Sequence, residues 1–189
     1  MTARRVFVVG ASGAAKTPFA RLLADALGGV AISASDGVRE VLAPIEHLRR
    51  EDRLAFVTEA SRRSVEALRR DPDIVVRHLR ERLSGLEERP VVLEGFRNPR
   101  DFAHLFDWRR DVAVSLVRDE NPVPSGAFEA GLDVIAAYLK WATEVGILDA
   151  GRWIRCAHAT DDLEDRAAEV VVALRALVAT PEHPSQFRE

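Results

Sequence analysis

One cysteine, one methionine, one tyrosine and two lysines are all that the 189 residues carry of those types. A lone Cys156 cannot close a disulfide within the chain, and no Cys/His spacing offers a zinc site, so neither staple holds the fold. A reducing, cytoplasmic setting is the expectation. No apolar run approaches the length of a membrane span. The four apolar residues before Gly10 are too few for a signal-peptide core. Nor is there an excess of positive charge: 27 basic against 30 acidic residues leave a net charge of −3, which disfavours a broad nucleic-acid face. Hydrophobic residues at 47% and charged residues at 30% exclude a disordered or collagenous chain. Because 25 of the 27 basic residues are arginine, a lysine at position 16 stands out.

Val6-Phe7-Val8-Val9 is a short, fully apolar, β-branched run that ends at Gly10 and reads as a buried parallel strand. Helical spacing follows from Pro18 to Leu27, with proline tolerated in the first turn. Further apolar runs at 30–33, 91–93, 112–117 and 153–156 predict four more strands. The stretch 36–86 is mostly helical and rich in Arg and Glu, broken near Pro44 and at Asp71-Pro72. A helix is predicted over 127–143. A closing helix is signalled by a capping box, Asp161 and Glu164, and by the apolar face Val170, Val171, Leu174, Leu177 and Val178. Strands alternating with helices predict one α/β domain over 1–180, its parallel sheet covered on both faces. The tail 181–189 is predicted to be frayed.

Gly10-Ala11-Ser12-Gly13-Ala14-Ala15-Lys16-Thr17 joins the first strand to the first helix. It meets the phosphate-loop pattern G-x-x-x-x-G-K-[ST] everywhere except Ala15, where glycine is expected. Small residues let backbone N–H groups close around a polyphosphate, and the following helix start adds partial positive charge. Gly10, Ser12, Gly13, Ala14 and Ala15 supply that backbone. The Lys16 ammonium would reach the terminal phosphates of ATP, and the Thr17 hydroxyl would hold Mg²⁺. Alanine fits position 15 without strain if φ is negative there, as expected beside a helix start. Val91-Val92-Leu93-Glu94-Gly95 is an apolar strand ending in a carboxylate, so Glu94 is the second candidate for the metal, directly or through its water.

Glu94-Gly95-Phe96-Arg97-Asn98-Pro99 resembles the D-G-F-P-R segment of the nucleoside monophosphate kinases. It is closer still to a G-[IF]-R-N-P variant in uncharacterised bacterial, archaeal and phage kinases of that superfamily. Ile32-Ser33-Ala34-Ser35-Asp36-Gly37-Val38-Arg39 resembles the family's I-S-T-G-D-x-x-R segment after the second strand. The resemblance implies a three-layer α/β/α P-loop kinase fold with a five-stranded parallel sheet. It implies a helical acceptor-binding insertion at about 36–86 and a short lid-like loop at about 118–127. It further implies Mg-ATP as cofactor, Arg39 and Arg97 as ligands of the acceptor phosphate, and Asp36 as a partner for an acceptor hydroxyl. Arg97 and Asp36 would thereby join Lys16 as catalytic candidates.

The implied reaction is transfer of the ATP γ-phosphate to a nucleotide or another small phosphate- or hydroxyl-bearing acceptor. Two alternatives stay open: a kinase of hydroxymethylated bases in phage DNA, which the net charge disfavours, and a degenerate nucleotide-binding protein without transfer. The lid interval is Pro-rich and carries one arginine, Arg118, as candidate lid residue. The pairs Arg49-Arg50, Arg62-Arg63 and Arg69-Arg70 lie among glutamates and predict solvated helix faces with i,i+4 pairing, one of which could line the acceptor pocket. The five histidines are scattered, with no metal or nucleophile spacing. The segment from Asp133 to Trp141, with Tyr138, Lys140 and Trp141, is expected to pack a helix, with a substrate wall as the alternative.

Overall fold

Period-two alternation along β1 (Arg5–Gly10) sorts its side chains to opposite faces of a sheet. Phe7 and Val9 enter one buried cluster, Val6 and Val8 the other, all at 4% exposure or less. A strand buried on both faces belongs in the middle, and β1 takes that place. β2 (Val30–Ser33), β3 (Val91–Glu94), β4 (Val112–Arg118) and β5 (Trp153–His158) complete an all-parallel sheet in the order β2-β3-β1-β4-β5. This computed structural model describes residues 5–10, 14–96, 98–118, 127–158 and 162–179. The five-stranded parallel sheet expected from the sequence is therefore the sheet of the protein.

Helices cover both faces. On one, α1 (Lys16–Leu27) and α8 (Leu163–Ala179) pack through Phe19, Leu23, Val170 and Leu174 against Val8, Val92 and Val114. On the other lie α2 (Arg39–Leu42), α3 (Leu48–Glu51), α4 (Arg53–Arg70), α5 (Ile74–Leu83), α6 (Pro99–Leu105) and α7 (Ala127–Glu144). Their shared core centres on Phe7, whose ring lies 5.4 Å from Phe96, 5.5 Å from Phe102 and 5.1 Å from Phe106. Edge-to-face and stacked ring pairs of this kind add to what apolar burial alone contributes. The helical stretch 36–86 begins with a 3₁₀ turn, Ala34–Val38, and runs through α2 to α5. Asp52 caps α4 by accepting the Ala55 N–H at 3.0 Å.

Several boundaries differ from those read in the sequence. α1 begins at Lys16, two residues before Pro18, because proline is accommodated inside the first turn, where its missing N–H has no intrahelical partner to lose. β4 and β5 run on to Arg118 and His158. α6 was not foreseen. The capping-box residue Asp161, most of the lid-like loop, and the tail 181–189 lie outside the described residues. No helix among the described residues is long and apolar enough to cross a membrane.

Candidate functional site

The loops after β1, β2 and β3 leave the sheet at its carboxyl edge, where open parallel sheets bind ligands. β1 ends at Gly10, with φ +154°; a Cβ there would stand 2.6 Å from the carbonyl oxygen of Leu116 on β4. Only glycine lets the loop leave the sheet so close to its neighbour. Ser12 and Gly13 lie outside the described residues. Ala14 is buried at 1% exposure, and its carbonyl lies 3.2 Å from Nε2 of His158, itself 1% exposed at the end of β5. The last strand thus touches the loop through a histidine that sequence spacing did not single out.

Ala15 caps α1 in the left-handed conformation, φ 53° and ψ 30°, with no side-chain cap. The expected negative φ is overturned. Ala15 sits just outside the helix, so helical dihedrals do not govern it. It is the only non-glycine residue with positive φ among the described residues, and its conformation is the one that the missing glycine of the loop pattern suits. Its carbonyl still accepts the Phe19 N–H at 3.1 Å and starts the helix ladder. Lys16 is half-buried and Thr17 exposed on the first turn.

Glu94 ends β3 at 5% exposure and pairs in register with Val8 of β1 and Ser33 of β2. Its carboxylate, at the same sheet edge as the start of α1, is a hard oxygen donor, as is the Thr17 hydroxyl, so this donor set suits Mg²⁺. The next residue, Gly95, has φ +78°, and a Cβ on it would stand 3.0 Å from Ser33 Oγ. Ser33 Oγ in turn lies 2.7 Å from Ser35 Oγ. β2 and β3 therefore close on one another just beyond Glu94.

Beside this closure is a cavity of about 370 Å³, a size suited to a small molecule. Its floor is Gly95, Phe96 and Ser35; its walls are apolar, with Val38, Leu42, Val65, Leu68 and Val75 from the 3₁₀ turn, α2, α4 and α5. Three polar side chains matter. Ser64 is buried at 6% exposure on α4. Arg69 lines the cavity too, and among the described residues it has no carboxylate partner, whereas Arg63 and Arg70 pair with Glu59 and Glu66. Asp101, on the first turn of α6, is 3% exposed, and its Oδ1 has no hydrogen-bond partner. Burial pushes its carboxyl up to about 6, against the pull of Arg100 and His104.

The structure brings Gly10, Ala14, Ala15, Lys16, Thr17 and Glu94 to one edge of the sheet. Asp36 and Arg39 are exposed and line an open groove with Arg77, His78 and Glu81 rather than the cavity. They share the 3₁₀–α2 segment with cavity residues Ser35 and Val38 but present another side of it. Arg97 lies outside the described residues. Arg118 is the last residue of β4, opposite His158. Helix α4 does line the cavity, through Ser64 to Arg69, and Arg62, Arg63 and Arg70 form the i,i+3 and i,i+4 pairs anticipated for a solvated face. Leu139 of α7 is fully buried, while Tyr138 and Trp141 stack at 5.6 Å on its half-exposed side.

No protein-family model matches the chain, and no curated protein does. Among solved structures it is similar to shikimate kinase from Acinetobacter baumannii in complex with shikimate, at 14% identity over 94% of this chain and 96% of that one, TM-score 0.50. Thymidylate kinase from Ehrlichia chaffeensis matches at 15% identity over 93% and 99%, TM-score 0.45. Dephospho-CoA kinase from Campylobacter jejuni matches at 12% over 89% and 96%, TM-score 0.46. At such identities a likeness carries the fold alone. The all-parallel sheet in the order 2-3-1-4-5, with the phosphate-loop segment after its central strand, makes this the fold of the P-loop kinases.

Proposed function

We propose that the chain is an ATP-dependent phosphotransferase, with Mg-ATP on the loop from Gly10 to Thr17 and a nucleotide or related small acceptor in the cavity beyond Gly95. The observation that carries this reading is the shared edge: the phosphate-loop segment, the buried Glu94 and the cavity all open from the carboxyl ends of β1, β2 and β3. Phosphoryl transfer asks little covalent chemistry of a protein; it asks for positioning and charge neutralisation. The loop amides hold the phosphate chain, and Lys16 offsets the charge that develops on the moving group. Thr17 and Glu94 are the residues that would hold Mg²⁺, which would supply further charge neutralisation. Arg69, the cavity guanidinium without a carboxylate partner, is suited to an anionic group on the acceptor. Arg39, Arg97 and Asp36 are the acceptor residues that the family resemblance implies, although Asp36 and Arg39 line the open groove beside α5 and not this cavity.

One observation favours a second reading, nucleotide binding without transfer: Ala15 holds a strained conformation in the loop. Calorimetric titration of Mg-ATP into the protein and into Lys16→Ala, followed by γ-labelled ATP with a panel of phosphate- and hydroxyl-bearing acceptors, separates the readings. Binding that weakens about tenfold or more in the variant, together with label in an acceptor, is the expected result. Binding without label in any acceptor favours the second reading, and no heat at millimolar Mg-ATP removes both.

A further inference from the structure

Asp101 is a polar group left unfinished by the fold. The residue is 3% exposed, its Oδ1 has no partner, and it lines a cavity whose wall is mostly valine, leucine and phenylalanine, with Ser35, Ser64, Arg69 and Asn98 as the other polar side chains. Buried polar atoms are nearly always paired, because an unpaired one forfeits its hydration without return. Its two polar neighbours along the chain bond elsewhere. Arg100, the adjacent residue, donates instead to the Pro72 carbonyl at 2.9 Å and to Asp73 Oδ1 at 2.8 Å, which pins α6 to the start of α5. Asn98 Oδ1 accepts the Arg100 N–H at 3.0 Å as the cap of α6. A buried, perturbed, unpartnered acid in the wall of a cleft is the signature of a group that meets its partner on a ligand.

The chemistry of the rest of the cavity narrows that partner. A polyhydroxylated acceptor would set most of its hydroxyls against Val38, Leu42, Val65, Leu68, Val75 and Phe96, with only Ser35, Ser64, Arg69 and Asn98 besides Asp101 to bond them. A flat heterocycle needs apolar contact over its faces and a hydrogen bond only at its edge. The Asp101 carboxyl, pushed to about 6, is still mostly ionised at neutral pH and then only accepts hydrogen bonds. Resting on the reading of this cavity as the acceptor site, we propose that Asp101 is its specificity-determining residue. It selects a flat, largely apolar ring that presents a ring N–H, and rejects one that presents a bare ring nitrogen at the same edge. Arg69 meets the anionic end of that acceptor.

The test is calorimetric titration of the whole protein, without ATP, with GMP and UMP as ring N–H probes, AMP and CMP as bare-nitrogen probes, and shikimate as the polyol. GMP or UMP is expected to bind about tenfold or more tighter than AMP and CMP, with shikimate weakest. Asp101→Asn is expected to narrow or invert that ratio, because an amide can donate to a ring nitrogen as well as accept. Asp101→Ser, which removes the carboxylate in a smaller side chain, carries the same comparison if the asparagine variant does not fold. An equal or reversed preference in the parent, a ratio unchanged in both variants, or no binding of any probe at millimolar concentration overturns the proposal. A parallel titration with Mg-ATP keeps the two readings apart. ATP binding with no ring preference sinks only the role of Asp101, and ring-selective binding without ATP binding sinks only phosphoryl transfer.

Discussion

Ala15 shows how much hangs on a single backbone conformation. A Cβ in the left-handed region crowds the neighbouring carbonyl and costs about 1–2 kcal/mol. Ala15 carries that cost at φ 53° just before α1. Ala15→Gly is therefore expected to raise stability by about 1 kcal/mol, read as a shift of the urea midpoint with no change in slope. A variant no more stable than the parent would mean that the loop holds alanine without strain. Gly10 is the opposite case. Its added Cβ would meet the Leu116 carbonyl at 2.6 Å in a φ region that side chains avoid, so Gly10→Ala is expected to cost about 2 kcal/mol or more by the same measurement. Neither outcome could be reached from the motif alone. The pattern names the glycines of the loop, but their φ values depend on how the chain leaves β1 and enters α1.

At the scale of elements, the sheet is fastened at the end away from the site. Arg5, the first residue of β1, donates from Nε to Asp111 Oδ1 at 3.0 Å and from Nη2 to Asp111 Oδ2 at 2.6 Å, with a further bond to the Leu105 carbonyl at 2.9 Å. Asp111 is 2% exposed just before β4, and it also accepts the Asp107 N–H at 2.7 Å. This clip joins the first strand, the end of α6 and the turn into β4. Truncating one partner strands a buried charge, so Arg5→Ala is expected to cost about 3 kcal/mol. Adding Asp111→Asn should return part of that loss, because the two side chains share one interaction. A double-mutant cycle by chemical denaturation checks it, and additive losses would contradict the clip.

The sequence showed neither this clip nor helix α6. Arg5 and Asp111 are 106 positions apart, and one arginine among 25 carries no mark. α6 has seven residues, too few for periodicity to register, although Asn98 as cap and Pro99 at the first helical position are start signals in retrospect. The strands were legible for the opposite reason. The inner strands β1, β3 and β4 are buried on both faces and so read as apolar runs, broken only by Ser115 in β4.

For the whole molecule, the loop half of the candidate site stands out in the sequence and the cavity half does not. Gly10 to Thr17 and Glu94 are local patterns at strand ends, whereas Ser64, Arg69 and Asp101 meet only after α4 and α6 pack over the sheet. That packing has a consequence for the whole fold's response to pH. The folded Asp101 titrates at about 6 against an ordinary 3.8, because burial disfavours its charge. Between those two values the folded chain holds a proton that the unfolded chain has released, so this group's contribution to stability falls as pH rises. Asp111 acts in the same sense, since burial outweighs Arg5 and raises its carboxyl. Surface acids act oppositely. Glu59 is held at about 2 by Arg62 and Arg63, and Asp71 is lowered by Arg77, so their contributions are lost as pH falls below the ordinary carboxylate range. Urea denaturation of the protein and of Asp101→Asn, at about pH 4 and about pH 7, isolates the buried term. Relative to the parent, the variant is expected to gain roughly 1–3 kcal/mol between the two. A difference that does not change with pH would mean that Asp101 is as well solvated in the folded cavity as in the open chain.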